Sequence, residues 1–455
     1  MNNPILYVST NRRLPTARPM TPISFRDALF MGIAPDGGLF VPTHLPNFTP
    51  AELQNLQRRP YHEIAFHVLQ PFLFDTFDEA TLRALLADAY NFALPLESLD
   101  QQSWLLRLDH GPTASFKDFA ARFMARAMHA LKPRDMHLTI LVATSGDTGS
   151  AVGEAFHGLD GIRVVIVYPA DEVSAVQKHQ LDAIGGNVSA VMLSGTFDDC
   201  QRLVKRAFLD PDLRNLQLTS ANSINIGRIL PQCVYYFHGH AHVAHADEQI
   251  VFSIPSGNFG NSFGCELARR MGLPVRRMII AVNENDEFPR FLAGGAYQPI
   301  SPSRNCPSNA MNVGNPSNLA RYFDYYGGVI DKDGVVHVMP DRDAMRAHLF
   351  SVSISNAETL ATMRAVYRDS AVILEPHGAV GVAALRAARA EHPHETAICL
   401  ETAHPAKYAD IIRQELAIDA PAHPALLALQ QKTGRAHALP NDYQVFKEFL
   451  HAKKE

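Results

Sequence analysis

The hydrophobic pattern of the chain changes at about residue 102, where short apolar runs begin to alternate with amphipathic segments. Runs rich in aliphatic and β-branched residues are typical of strands buried in a parallel sheet. Six such runs are predicted as strands: LTILVAT (138–144), IRVVIVYP (162–169), VSAVML (188–193), IVFSIP (250–255), RMIIAVN (277–283) and AICLET (397–402). Helical spacing separates them, as at 174–185, 197–208, 261–271 and 378–391. This alternation predicts an open, doubly wound α/β architecture.

The first 98 residues have a different pattern and are predicted to form a separate N-terminal domain. YVSTNR predicts a short strand, SFRDALFMG a helix that ends at Gly32, and Asp36-Gly37-Gly38 a tight turn. Two further helical stretches follow, around 50–69 and 78–91. No set of reactive side chains stands here, so we expect a cap or interface domain. At the other end, about the last 30 residues are also predicted to be helical.

The stretch SFKDFA, residues 115–120, begins a helix whose apolar residues recur at offsets of three and four. Ser115 and Asp118 have the spacing of a capping box, with Ser115 as the N-cap. Lys117 therefore falls in the first turn, where the helix dipole and burial both favour its neutral amine. A neutral amine suits carbonyl chemistry. Local features alone favour a surface lysine whose stem packs on the aromatic residues; the other motifs reverse that interpretation.

Composition narrows the class of protein. A chain of 455 residues exceeds what one core usually organises, so two or three domains are expected. With 47% hydrophobic residues, 19% charged residues and a net charge of −5, the chain is not suited to nucleic acid or an anionic membrane as its main partner. The N-terminus lacks the apolar core of a signal peptide and no run reaches transmembrane length, so a cytoplasmic protein is expected.

Cysteine and histidine do not predict a metal site. The five cysteines are widely spaced without a CxxC pair, which predicts buried reduced thiols rather than a disulfide framework or a zinc site. The cluster HGHAHVAH, His238–His245, has no acidic or cysteine partner at ligand spacing, although metal binding stays possible. We expect these histidines at an exposed helix end.

Two loops at the carboxyl ends of predicted strands are candidate anion sites, since ligands of open α/β sheets collect there. TSGDTGS (144–150) follows LTILVA, and SGNFGNS (256–262) follows IVFSIP. Glycines let several N–H groups converge, and the following helix adds positive potential. In the second loop, Gly257 and Gly260 are expected where the backbone takes a positive φ or lies close to a bound phosphate. Neither loop matches a P-loop or GxGxxG, so for each alone a structural turn is an equal alternative.

Two further stretches offer neutral or cationic donors. Thr402 closes the strand AICLET and presents a hydroxyl at its carboxyl end, although it would also pass as a strand-end cap. ANSINIGR gathers Asn222, Ser223, Asn225 and Arg228 before a helix, a set that suits phosphate or carboxylate. The alternative there is a capped helix start with a solvated arginine.

These motifs together resemble the threonine synthase family, in its longer bacterial and fungal branch among fold-type II pyridoxal-phosphate (PLP) enzymes. The resemblance runs nearly end to end through eight motifs in family order: APDGGLFVP, SFKDFA, ATSGDTG, SANSINIGR, PSGNFGN, NAMNVGNPSN, LEPHGAVG and ETAHPAKY. It implies two doubly wound, open parallel-sheet domains and an N-terminal α+β cap. The implied limits are 1–98 for the cap, 99–125 with 227–455 for the large PLP-binding domain, and 126–226 for the small domain.

The resemblance also implies roles for individual residues. Lys117 corresponds to the family's Schiff-base lysine, Thr402 to the hydroxyl facing the pyridine nitrogen, and Gly257, Asn258, Phe259, Gly260 and Asn261 to the loop that grips the cofactor phosphate. Asp147 stands beside the cofactor's 3′-oxygen, where many fold-type II enzymes have asparagine. The substrate would be held by Thr144, Ser145, Thr148, Asn222, Ser223 and Arg228. Asn312 departs from the family pattern, in which aspartate is expected.

The implied activity is the PLP-dependent conversion of O-phospho-L-homoserine and water to L-threonine and phosphate, by a lyase acting on a carbon–oxygen bond. The partner is then a small-molecule substrate, with neither nucleic acid nor membrane, and the protein a monomer or homodimer without a metal. Two alternatives stay open. A related phospholyase would release a 2-oxoacid, ammonia and phosphate, and a non-catalytic protein would bind PLP or phosphate without turnover.

Overall fold

The computed structural model describes residues 3–14, 20–144, 146–245, 248–389 and 395–452. Its strands are β1 Tyr7–Ser9, β2 Phe40–Pro42, β3 Leu96–Ser98, β4 Ser103–Arg107, β5 Leu138–Ala143, β6 Ile162–Pro169, β7 Val188–Ser194, β8 Leu218–Thr219, β9 Ile250–Pro255, β10 Val275–Val282, β11 Val329–Ile330, β12 Val336–Val338, β13 Leu349–Ser353, β14 Ala397–Glu401 and β15 Ala436–Pro440.

The α-helices of the described residues lie between and after these strands. They are α1 Phe25–Met31, α2 Pro50–Asn55, α3 Tyr61–Leu73, α4 Glu79–Ala89, α5 Lys117–Leu131, α6 Asp147–Phe156, α7 Ala175–Asp182, α8 Phe197–Leu209, α9 Ile226–Ile229, α10 Val234–Val243, α11 Gly260–Arg270, α12 Glu287–Ala293, α13 Leu319–Tyr325, α14 Arg342–Arg346, α15 Asn356–Ser370, α16 Pro376–Arg389, α17 Ala409–Leu416, α18 Pro424–Gln430 and α19 Tyr443–His451.

The larger sheet has six strands in the order β13-β10-β9-β14-β4-β3. All neighbours are parallel except β3, which runs antiparallel to β4. The predicted strands at 250–255, 277–283 and 397–402 form the middle of this sheet, where both faces are covered. Continuous apolar runs are the pattern that such burial requires.

The second sheet has five parallel strands in the order β15-β7-β6-β5-β8. Its first strand comes from the C-terminal segment, which the sequence predicts to be helical and to belong with the large domain. This prediction is wrong for Ala436–Pro440, which pairs with Ala190–Ser194 in parallel register. The helix α19 then packs Phe446 and Leu450 against the same sheet. The exact domain limits stay a prediction.

The N-terminal region contains the predicted strand, turn and helices, with one difference. The predicted helical stretch at 50–69 is two helices, α2 and α3, because Pro60 cannot continue a helix from the residues before it. Thr49 caps α2 in a capping box with Glu52, and Asp78 caps α4. Tyr61 and Tyr90 then pack their rings against Phe119 of α5. The cap region is therefore continuous with the core around the helix that carries Lys117.

The histidine cluster lies on α10, but only part of it is exposed. His238 and His240 are buried, which corrects the expectation of an exposed helix end. The His238 side chain contacts the Leu94 carbonyl oxygen, and burial lowers its pKa to about 3. Among the described residues, no group of three or more His, Cys, Asp or Glu side chains is placed to hold a metal ion. The described helices also include none long and apolar enough to cross a membrane.

Candidate active site

The start of α5 is fixed to the carboxyl end of strand β14. The N–H of Phe116 donates to the carbonyl oxygen of Thr402 at 2.9 Å, and the N–H of His404 donates to that of Ala114 at 3.0 Å. Ala114 takes a left-handed φ of +56°, which turns the chain into the helix. Two motifs that are far apart in sequence, SFKDFA and ETAHPAKY, therefore meet as a short antiparallel bridge. The bridge pairs Ser115 with Ala403, so Lys117 and Thr402 lie on the same side of it.

The capping interpretation of this helix is wrong, although Lys117 does begin it. The N-cap position falls on Phe116 and carries no side-chain cap. Asp118 instead accepts hydrogen bonds from the N–H and hydroxyl of Thr113, at 2.8 and 2.6 Å. Capping-box spacing in a sequence cannot distinguish an acid that folds back on the loop before the helix. The position of Lys117 in the first turn is unaffected.

Lys117 is largely enclosed, so the surface lysine that local features alone favour is wrong. Its side chain is 13% exposed, and its Nζ lies 3.4 Å from Oδ2 of Asp147. Burial lowers the pKa of the Lys117 amine, the Asp147 carboxylate opposes this, and the cations of Lys407 and Arg228 lower the pKa further. The surroundings therefore shift Lys117 in the direction of the neutral amine, the form that attacks a carbonyl.

Asp147, the first residue of α6, connects Lys117 to a second lysine. Its Oδ1 accepts from Nζ of Lys407 at 2.8 Å and from Nε2 of Gln177 at 2.9 Å. Burial alone would raise the pKa of this carboxyl, but the two lysines and the hydrogen bonds hold its pKa well below the usual range. Asp147 is thus a buried carboxylate between two amines. The sequence interpretation missed Lys407, although it stands five residues after Thr402 at the same strand end.

The rest of the TSGDTG loop is organised by its own first residue. The hydroxyl of Thr144 accepts from the N–H groups of Gly146 and Gly149, at 3.0 and 2.9 Å. Gly146 has a φ of +130°, which suits glycine. Thr148 is half-buried at the start of α6, and Ser145 lies outside the described residues. The roles of Thr144, Ser145 and Thr148 toward substrate stay predictions.

The loop from Gly257 to Asn261 leaves its backbone donors free. Within the described part of the chain, no protein acceptor takes the N–H group of any of these five residues. The loop leads directly into α11, whose start adds positive potential. Buried N–H groups without partners at a helix start are a ready anion site. The assignment of this loop to the cofactor phosphate stays a prediction.

The conformation of this loop differs from the expectation in one respect. The left-handed residue is Phe259, with φ +61°, and neither glycine has a positive φ. Gly257 is needed for space, since a β-carbon there would lie 2.8 Å from the backbone of Ala310 and Met311. At Gly260 a β-carbon would meet only side-chain ends among its three nearest atoms: Ile229 at 3.0 Å, Asn318 at 3.5 Å and Gln232 at 3.6 Å.

The backbone against which Gly257 rests is itself held from the LEPHGAVG motif. Nε2 of His377 accepts from the N–H of Ala310 at 3.1 Å, and Nδ1 of His377 contacts Glu375 at 2.5 Å. Glu375 also accepts from the N–H of Gly378 at the start of α16. The motif therefore holds the backbone at Ala310 that packs against the Gly257–Asn261 loop.

The side chain of Asn261 is held by two tyrosines, since its Oδ1 accepts from the hydroxyls of Tyr235 and Tyr236, while its buried Nδ2 has no partner among the described residues. Asn258 points toward the predicted substrate residues, and its Nδ2 donates to the hydroxyl of Ser223 at 2.6 Å. The structure thus joins the Gly257–Asn261 loop to ANSINIGR. Asn222 is half-buried in that stretch, with a buried Oδ1 that has no partner among the described residues.

Arg228 is buried, so its interpretation as a solvated arginine is wrong. Its Nη1 donates to the Ala221 carbonyl oxygen at 2.6 Å, while its buried Nε has no partner in the described residues. Burial lowers the pKa of the guanidinium to about 10, which still leaves a cation at neutral pH. A buried cation with a free donor is suited to an anionic ligand.

Arg321 connects the N-terminal region to ANSINIGR and was not predicted. It is fully buried, and it donates to the carbonyl oxygens of Phe40 at 3.0 Å, Ile224 at 2.7 Å and Ser223 at 3.4 Å, and to Oδ1 of Asn318. One side chain therefore fixes the APDGGLFVP motif of the cap to the predicted substrate loop. A lone arginine in an otherwise unremarkable helix gives no sequence signal for this role.

Replacing Arg321 with methionine is expected to lower stability by about 3 kcal/mol, because three carbonyl oxygens lose a charged donor. Urea unfolding followed by circular dichroism measures this change. Arg290→Met, at an arginine whose side chain is 49% exposed, is the control and should change stability little. An Arg321→Met protein as stable as the control would contradict the structural role.

Asn312, which departs from the family pattern, is fully used as an amide. Its Oδ1 accepts from Nδ2 of Asn283 at 2.9 Å and from the N–H of Cys306 at 3.2 Å, while its Nδ2 donates to Oδ1 of Asn305 at 3.1 Å. A carboxylate could not make the last bond. The asparagine therefore orders the loop before Ala310 and Met311.

Comparisons with known proteins agree with this geometry. The family described as "Pyridoxal-phosphate dependent enzyme" matches residues 91–402, "Threonine synthase N terminus" matches 6–90, and "Threonine synthase, C-terminal" matches 378–450. A threonine synthase of Pseudomonas aeruginosa is 38% identical, over 98% of this chain and 97% of the relative. That of Escherichia coli is 36% identical, over 94% and 96%. The crystal structure of PLP-bound threonine synthase from Brucella melitensis has a TM-score of 0.90 and 34% identity, covering 98% of both chains.

The fold and the site define a pyridoxal-phosphate-dependent enzyme of fold type II. Within that class, the chain belongs to the threonine synthase family. The predicted fold class, cofactor and enzyme class are confirmed.

The residues present fit this cofactor. PLP requires an amine for its aldehyde and donors for its phosphate. Lys117 supplies a largely enclosed amine whose pKa is lowered by burial, and the Gly257–Asn261 loop supplies N–H groups that have no partner among the described residues. Thr402 follows strand β14, and the Gly257–Asn261 loop follows the neighbouring strand β9. Thr402 and the loop therefore lie at the carboxyl ends of adjacent strands, and Lys117 begins the helix that is hydrogen-bonded next to Thr402.

Proposed function

We propose that this protein converts O-phospho-L-homoserine and water to L-threonine and phosphate, using PLP held by Lys117. The observation that carries the proposal is the largely buried pair of Lys117 and Asp147. The backbone next to Lys117 is hydrogen-bonded to Thr402 after strand β14, and the neighbouring strand β9 leads to the N–H groups of 257–261, which have no partner among the described residues. The first feature suits a carbonyl cofactor and the second its phosphate. Membership in the threonine synthase family supports the reaction.

Lys117 is the residue assigned to proton transfer. PLP, when bound, supplies the electron sink that makes the substrate's α-proton acidic. The Lys117 amine is placed to take that proton and to return protons at neighbouring carbons. Its burial limits competing exchange with water. Asp147 accepts from the ammonium form and so orients the side chain.

Two anion sites divide the phosphate groups between cofactor and substrate. The N–H groups of Gly257–Asn261 are assigned to the phosphate of PLP. Arg228, with Asn222 and Ser223, is assigned to the phosphate of the substrate, where a cation stabilises the departing dianion. The hydrogen bond from Asn258 to Ser223 links the two sites directly and so supports a fixed distance between them.

The phospholyase alternative shares every one of these residues, and no observation in the structure favours it. The test is to incubate the purified protein and PLP with O-phospho-L-homoserine and to quantify phosphate, L-threonine and 2-oxobutyrate. Equal amounts of phosphate and threonine are expected. Mainly 2-oxobutyrate would establish the phospholyase instead, and no release of phosphate would establish a non-catalytic protein. We also propose that the protein is cytoplasmic and that it is a monomer or a homodimer. Native mass measurement distinguishes the monomer from the homodimer.

Arg228→Ala is expected to raise the KM for phosphohomoserine and to reduce kcat, while PLP content stays nearly normal. Loss of a charge-assisted contact costs about 2 kcal/mol or more, so kcat/KM should fall at least about 30-fold. Steady-state kinetics and the absorbance of bound PLP measure the two effects separately. Loss of PLP with unchanged substrate kinetics would mean that the two anion sites are interchanged.

A further inference from the structure

Lys407 is a buried lysine that has no role in the proposed reaction. It lies in the short 3-10 helix Pro405–Tyr408, directly after strand β14. Its side chain is 0% exposed, and its Nζ lies 2.8 Å from Oδ1 of Asp147. A lysine is rarely buried to this extent without a partner that requires it.

The arrangement around Lys407 is an unusual one for a structural ion pair. One carboxylate, Asp147, faces two amines, Lys407 at 2.8 Å and Lys117 at 3.4 Å. Buried ion pairs contribute little net stability, because desolvation offsets most of the attraction. An excess of positive charge inside the protein is therefore better explained by the chemistry of the site than by stability.

The geometry gives the two lysines different freedom. Lys407 shares Oδ1 of Asp147 with Nε2 of Gln177, so that oxygen is held by two donors, at 2.8 and 2.9 Å. The other oxygen is left to face Lys117 at the longer distance of 3.4 Å. The carboxylate is thus anchored on one side and open on the side of the cofactor lysine.

We propose that Lys407 is a positioning residue of this site: its ammonium group anchors the Asp147 carboxylate and partly neutralises it, so that Lys117 is oriented without being held as a tight ion pair. Without Lys407, the full charge of Asp147 would act on Lys117 and keep it as the ammonium ion. With Lys407, Lys117 is free to present a neutral amine to the cofactor's aldehyde. The inference rests on the proposed function, since it assumes that Lys117 captures PLP.

The charged groups around the two lysines agree on the direction of the effect. Lys117 faces Asp147 from α6, Lys407 from the 3-10 helix and Arg228 from α9, and the two cations both lower its pKa. Lys407 in turn faces Asp147 and also Asp118 of α5, whose pKa it lowers against the stronger effect of burial.

Two more ionisable groups lie near this set. Lys407 lowers the pKa of His423, which comes from the segment before α18, and burial lowers it more strongly. The phenol of Tyr408 is near Asp147, and burial is the main reason that its pKa is raised. Neither group carries charge at neutral pH. Removing Lys407 therefore removes a cation and leaves the carboxylates, which raises the pKa of Lys117.

The test measures capture of PLP by the apoprotein as a function of pH, independently of turnover. PLP is removed with hydroxylamine, added back, and followed by the growth of the long-wavelength absorption band in wild type, Lys407→Met and Lys407→Arg. In Lys407→Met, the pH at which capture is half-maximal is expected to rise by about one unit or more. Lys407→Arg keeps the cation and should restore the wild-type profile.

Two further variants keep the outcome decisive. Lys407→Gln keeps a donor to Asp147 without the charge, and should shift the profile as Lys407→Met does, even if the methionine variant does not fold. Lys205→Met, on the exposed face of α8, is the matched control and should leave the profile unchanged. A folded variant without the charge that captures PLP with the wild-type profile, or at lower pH, overturns the inference. Failure of the wild-type apoprotein to capture PLP overturns the proposed function instead.

Discussion

Lys117→Ala is expected to yield a folded protein without the long-wavelength absorption band of bound PLP and with activity reduced at least about 1000-fold. The amine is the proposed anchor of the cofactor and the proposed proton carrier, and removing such a group commonly costs about two to four orders of magnitude in rate. Absorbance of the purified protein and phosphate release from phosphohomoserine measure the two losses. Lys205→Ala, at an exposed lysine, is the control and should keep both.

Lys117→Arg should fail equally, although it keeps the positive charge beside Asp147. A guanidinium stays protonated and cannot react with the aldehyde. Recovery of the absorption band in Lys117→Arg, or its persistence in Lys117→Ala, would place the cofactor on another amine. Lys407 would then be the first candidate, because its Nζ shares the same carboxylate.

Gly257→Ala is expected to weaken PLP binding at least about 10-fold, whereas Gly260→Ala should weaken it much less. The β-carbon at Gly257 would lie 2.8 Å from the backbone of Ala310 and Met311, so the phosphate loop itself must move. At Gly260 the nearest atom is the flexible end of Ile229, at 3.0 Å, which can give way. Titration of the apoprotein with PLP gives both dissociation constants.

The two glycine variants also distinguish between two roles for the Gly257–Asn261 loop: a binding site for the cofactor phosphate and a purely structural turn. Added PLP should rescue Gly257→Ala only partly, because the distortion persists when the cofactor is bound. If Gly257→Ala binds PLP as wild type does while remaining folded, the cofactor phosphate lies elsewhere, and the TSGDTG loop from Thr144 to Gly149 is the next candidate.

The sequence predicts the interior of both sheets well and their edges poorly. Strands such as Ile162–Pro169 are buried on both faces, so their composition is continuously apolar and distinctive. The edge strand Ala436–Pro440 reads AHALP and is largely exposed. Its pairing with Ala190–Ser194 depends on a contact across more than 200 residues, which no local pattern records.

The residues of the candidate site show a similar contrast between what the sequence predicts and what it does not. The parallel-strand rule places ATSGDTG at the carboxyl end of β5 and ETAHPAKY at the carboxyl end of β14. These strands belong to different sheets, so the rule does not predict that the two loops meet. What the sequence could not give is the direction of individual side chains. Asp118 turns back to Thr113 rather than capping the helix, Asn261 turns to two tyrosines, and Lys407 turns inward to Asp147. These directions are set by tertiary packing.

The most direct test of the proposed reaction is turnover of O-phospho-L-homoserine in water labelled with heavy oxygen. In the proposed reaction the bond between the γ-carbon and the bridging oxygen breaks, and the oxygen of water enters at the β-carbon. Mass spectrometry should therefore find one heavy oxygen in the hydroxyl of L-threonine and none in the released phosphate. Heavy oxygen in the phosphate, with homoserine as the product, would mean hydrolysis of the phosphorus–oxygen bond and would contradict the account.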